Sequence, residues 1–65
     1  MMLVNFNCYL IDREYGGILR LLESKITDDI EQSKIDLMLE LTDYEWYCVK
    51  VKLISIEYFV IGHNS

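Results

Sequence analysis

Sixty-five residues, a net charge of −5 and an apolar fraction of 52% describe a single small domain, 1–65. A chain this short buries only about 60% of the surface its unfolded form exposes, so help from oligomerisation or a partner is expected. The acidic balance excludes direct binding to a nucleic-acid backbone, and no apolar run nears the roughly 18 residues of a membrane-spanning helix.

Met2, Val4, Phe6, Cys8 and Leu10 alternate with Asn5, Asn7 and Tyr9, which predicts a first strand over 2–11. Asp12 to Gly17 ends it, with Gly16-Gly17 as the strongest break in the chain. Beyond it, Ile18, Leu19, Leu22, Ile26 and Ile30 recur at steps of three and four among good helix formers, predicting an amphipathic helix over 18–34. Asp28 and Glu31 stand in a spacing that resembles a capping box, so this helix is expected to break and restart near Thr27. A competing reading makes Ile18–Ile26 a strand, linked to the first by a hairpin through Tyr15-Gly16-Gly17; the adjacent Leu21-Leu22 speaks against it.

Ile35, Leu37, Leu39 and Leu41 alternate with Asp36, Met38 and Glu40, and Tyr47, Val49, Val51 and Leu53 alternate with Cys48, Lys50 and Lys52. Joined by the polar Thr42-Asp43-Tyr44-Glu45, the two segments read as an antiparallel hairpin around which the chain is organised. Ile54, Ile56, Tyr58 and Val60 carry the opposite parity, which places a bulge or bend near Leu53-Ile54. Leu53–Ile61 is then apolar on both faces and offers a surface for a homodimer or a larger partner. Gly62 to Ser65 reads as a fraying polar tail. The expected fold is α+β, in the order strand-helix-strand-strand: a three-stranded antiparallel sheet with one helix on a face. The alternative is a small all-β meander.

Little in the chain points to catalysis. Cys8 and Cys48 belong to no CxxC or Cys/His cluster, so no metal and no cofactor is expected, and they read as two buried thiols more readily than as a disulfide. His63, the one histidine, reads as a solvated tail residue. Asp28, Asp29 and Glu31 lack the ligand spacing and glycine of a calcium loop, and Gly16-Gly17 lacks the pattern of a phosphate loop. The start of the chain lacks the basic and apolar regions of a secretory signal, so a cytoplasmic location is expected.

Charge distribution is more informative. Glu23 to Glu45 holds eight acids and two bases, net −6, and the remainder is net +1. Asp28, Asp29, Glu31, Asp36, Glu40, Asp43 and Glu45 are interleaved with Tyr44 and Trp46, and aromatic anchors in a charged rim suit a binding hot spot. An array of carboxylates can also imitate phosphate spacing. The expectation is a non-enzymatic acidic inhibitor that docks these nine residues on a basic surface of a nucleic-acid-handling protein. By analogy of size and charge alone, this is how phage-borne anti-restriction and anti-CRISPR proteins and nuclease-immunity proteins act. The alternative is an assembly module that oligomerises through its apolar C-terminal strand.

Overall fold

Val4, Phe6, Cys8 and Leu10 turn to one side of an extended chain and are buried there, while Asn5, Asn7, Tyr9 and Ile11 turn to the other. They form β1 (Val4–Asp12), the central strand of a three-stranded antiparallel sheet. The structure is a computed structural model that describes residues 2–62. Its remaining elements are β2 (Ile18–Thr27), α1 (Ile30–Met38), α2 (Asp43–Lys50) and β3 (Ile54–Gly62), and the sheet order is β2-β1-β3. The α+β class and the antiparallel sheet are as expected. The element order is not: two strands come first, then two helices, then the last strand. The predicted polar tail, apart from Gly62 at the end of β3, and its His63 lie outside the described residues.

The helix predicted over 18–34 is replaced by β2 and α1, so the competing hairpin reading is the correct one for its first half. An Asx turn closes that hairpin: Glu14 N–H donates to Asp12 Oδ1 (3.0 Å), and Gly16 adopts φ 76°, a conformation that favours glycine. Two irregularities in β2 explain the misleading pattern. Its register with β1 slips between Cys8 and Tyr9 and again between Leu10 and Ile11, leaving Leu22 and Leu19 as extra residues. Residues that share the outer face therefore fall at 18, 21, 24 and 26, and steps of three imitate a helix.

The hairpin predicted over 35–53 is also overturned. Ile30–Met38 and Asp43–Lys50 are helices, and what reads as alternation in Ile35, Leu37, Leu39 and Leu41 is two sides of one helix and its exit. Leu37 is fully buried and Leu41 nearly so, whereas Ile35 and Leu39 face solvent. The inward stripe runs Ile30, Ser33, Leu37, Leu41, at helical spacing. Ser33 hides that stripe in the sequence, and its burial is tolerated because its hydroxyl donates to Asp29 O (2.9 Å). The cap of α1 is Asp29, whose Oδ1 accepts from Gln32 N–H (3.0 Å), one position later than the Asp28/Glu31 box predicted.

The parity change near Leu53-Ile54 is the junction between α2 and β3 rather than a bulge in one strand. A Schellman turn makes it: Lys52 N–H donates to Val49 O (3.1 Å) and Leu53 N–H to Cys48 O (2.9 Å). Lys52 occupies the left-handed position, φ 64°, where glycine is favoured. Lys52→Gly is expected to stabilise the domain by about 0.5–1 kcal/mol, seen as a rise of a few degrees in Tm. An unchanged or lowered Tm would mean that the lysine's interaction with the helix end outweighs the backbone strain.

The core lies between β1 and the helix layer. Phe6, Cys8, Leu10, Leu22, Leu37 and Leu41 form it, flanked by Ile30, Met38, Ile54, Ile56 and Tyr58. Among the described residues no helix is long and apolar enough to cross a membrane.

Candidate interaction surface

Both helices cover the same face of the sheet, and nearly all the charge goes with them. The opposite face consists of four cross-strand rows: Ile26-Asn5-Ile61, Ser24-Asn7-Phe59, Leu21-Tyr9-Glu57 and Ile18-Ile11-Ser55. Only Glu57 is charged there. The molecule is thus two-sided, strongly acidic over its helices and nearly uncharged over its open sheet.

Asp36, Glu40, Asp43 and Glu45 do not lie on the arm and loop of a hairpin. They sit on two helices and the turn between them, and several already have partners within the chain. Asp29 caps α1. Asp36 lies 3.8 Å from Lys25 and accepts from Gln32 Nε2 (2.9 Å). Glu31 lies 3.7 Å from Lys34. Glu45 is the most deeply committed. Its carboxylate accepts from Arg20 Nε (3.0 Å) and Nη2 (2.9 Å), and from Thr42 N–H (2.9 Å), while Thr42 Oγ1 accepts from Glu45 N–H (3.1 Å). Thr42 and Glu45 therefore form the capping box of α2. Arg20, then the Thr42 amide, hold the Glu45 carboxyl well below its usual range, at about 2. Asp28, Glu40 and Asp43 are the predicted acids with no side-chain hydrogen bond or ion pair among the described residues.

The aromatic part of the expectation has a clearer structural basis. In α2 the inward positions are Glu45, Cys48 and Val49. The outward positions go to Asp43, Trp46, Tyr47 and Lys50, with Tyr44 on the flank. Tyr44 is 74% exposed, Tyr47 58% and Trp46 37%. Two of these aromatics are mostly exposed and Trp46 about a third exposed, on an eight-residue helix that begins at Asp43, three residues after Glu40. Tyr47, which the sequence also interleaves with the acids, shares the outward side of α2 with Trp46 and Asp43. Tyr44 also lines a cleft of about 710 Å³ between α2 and the β1–β2 hairpin. Leu10, Leu19, Cys48 and Leu53 are among the apolar residues of that cleft. Its charged lining is balanced, with Arg13, Arg20 and Lys52 against Asp12, Glu14 and Glu45. A volume in the range of small-molecule sites with no excess of either charge suits an inserted apolar side chain.

Cys8 and Cys48 are free and buried. Burial, with a smaller contribution from Glu23, raises the Cys8 thiol to about 11, so it carries no thiolate at neutral pH. Among the described residues no three His, Cys, Asp or Glu side chains lie close enough to hold a metal ion.

The fold and this surface define a two-layer α+β domain with an acidic, aromatic-studded helical side. Comparison with known proteins finds no matching family model, no similar curated protein and no similar solved structure.

Proposed function

We propose that the chain is a non-enzymatic binding protein that docks α2 and the preceding turn on a basic surface of a nucleic-acid-handling protein. The observation that carries this reading is the exposure of Tyr44, Trp46 and Tyr47 on one short helix beside Glu40 and Asp43. Large aromatics supply most of the desolvated contact energy in protein interfaces, and acidic neighbours select a basic partner and speed its capture. An inhibitor working at such a site would cover the groove that its target uses for DNA or RNA. Because Asp29, Glu31, Asp36 and Glu45 are engaged inside the chain, the reading favours an aromatic-anchored contact over an extended imitation of phosphates. A cytoplasmic setting, where such targets reside, belongs to the same proposal.

The test is a pull-down from a host lysate at low salt, eluted in rising salt and identified by mass spectrometry. One basic nucleic-acid-binding protein, released as screening shortens the Debye length below about 10 Å, is the expected result. Trp46→Ala with Tyr47→Ala should weaken its binding at least tenfold. Glu40→Lys with Asp43→Lys should slow association and flatten the salt dependence. Both pairs are exposed, so circular dichroism should be unchanged. Undiminished binding by the two variants would overturn the proposal.

A further inference from the structure

The two outer strands of the sheet are protected to very different degrees. The edge strand β2 is broken by two register slips and carries Arg20, Glu23 and Lys25. Bulges and charges are the devices that stop an edge from accepting another strand. The other edge, β3, has no bulge and a single charge. Its nine pairs with β1 run from Val4–Gly62 to Asp12–Ile54 without a slip. Between Ile54 and Gly62 there is no Lys, Arg or Pro, and Glu57 is the one charge. A regular, apolar nine-residue edge is a ready template for strand addition.

We propose that β3 pairs antiparallel with β3 of a second copy, about a two-fold axis beside Tyr58, to make a continuous six-stranded sheet. Three observations point to a copy of this chain as the occupant. First, full-length antiparallel self-pairing sets Ile54 opposite Gly62 and therefore Glu57 opposite Phe59 of the second copy, so no like charges face each other. The two Glu57 side chains then stand about 8 Å apart on the diagonal, one Debye length at physiological salt. Second, the same register places Ile56 of one copy beside Val60 of the other. Val60 lies on the helix side of the sheet yet is 44% exposed, and a second copy covers it. Third, among the described residues eight apolar side chains are buried and seventeen large ones are exposed, a balance that small domains commonly correct by oligomerising. This pairing uses the sheet edge and leaves the outward face of α2 open, so it stands or falls independently of the function proposed above.

Sedimentation equilibrium over a concentration series is the first test. The expected result is a concentration-dependent species of twice 7.7 kDa, since an edge contact of this length falls at the small end of specific interfaces. Two variants then test the register. Phe59→Glu sets two like-charged cross-strand pairs against each other; Phe59→Lys makes two opposite-charged pairs with Glu57. The lysine variant should dimerise at least tenfold more tightly than the glutamate variant, and retained circular dichroism spectra will establish that both are folded. A chain that stays monomeric into the millimolar range would leave this edge to a strand of another protein and overturn the proposal. So would variants that dimerise alike or fail alike.

Discussion

Leu37→Ala is expected to cost about 3 kcal/mol of folding stability, whereas Leu39→Ala should change it by less than about 0.5 kcal/mol. Leu37 is 0% exposed in the centre of the core, and truncation leaves a void beside Phe6, Leu22 and the other core side chains. Leu39, two residues on, is 86% exposed and follows the last turn of α1. For a domain this small, about 3 kcal/mol is a large share of the total stability. Urea unfolding followed by circular dichroism reads both values directly. The contrast also tests the fold itself. In a strand, Leu37 and Leu39 would share one face and cost alike; in a helix they lie about 200° apart. Equal losses at the two positions would return the segment to the hairpin that its alternation suggests.

That ambiguity shows where sequence pattern runs out. β1 is legible because Val4, Phe6, Cys8 and Leu10 alternate with Asn5, Asn7 and Tyr9 without a break, and all four are buried. β2 is not, because each bulge turns a step of two into a step of three, and Leu19 and Leu22 complete an apparent helical stripe. The helices suffer the reverse confusion. Their inward positions include polar residues, Ser33 in α1 and Glu45 in α2, which erase the apolar stripe. What remains is a period of two among residues that in fact point to different sides. A decisive local signal was nonetheless present. Thr42-Asp43-Tyr44-Glu45 has the spacing of a capping box and marks the start of α2, although its polarity first suggests a hairpin loop.

The candidate site was legible in composition rather than in arrangement. An acidic band with interleaved aromatics is evident from the residues; α2 carries Asp43, Tyr44 and Trp46, with Tyr44 and Trp46 about 200° apart around its axis. The division of labour among the acids is not evident. The capping-box spacing marks Glu45 as a cap residue, but nothing in the sequence pairs it with Arg20, because that partner lies 25 residues away on β2. The sheet edge follows the same rule. Its apolar character can be read from Ile54 to Ile61, but the contrast with the bulged, charged β2 appears only once the strand order is known.

Glu45 therefore provides the second large effect, and its pH dependence identifies the cause. Glu45→Ala removes the capping box and the forked Arg20 contact together and is expected to cost about 2–3 kcal/mol. Screening tempers that figure, since the Arg20 side chain is 41% exposed. Glu45→Gln can still accept from Thr42 N–H, so it keeps the cap, loses the charge and should cost about 1 kcal/mol less than alanine. The sign of the acid response follows from the depressed carboxyl. In the folded chain the Arg20 guanidinium, then the Thr42 amide, hold the Glu45 carboxyl at about 2, below the ordinary range of a glutamate. Its contribution is thus complete above about pH 5 and is lost as the pH falls through the window down to about 2. Across that window the stability of the native chain should fall more steeply than that of Glu45→Gln, and the two should converge near pH 2. Parallel curves would mean that the Arg20 contact is too solvated to matter and that Glu45 acts through its cap alone.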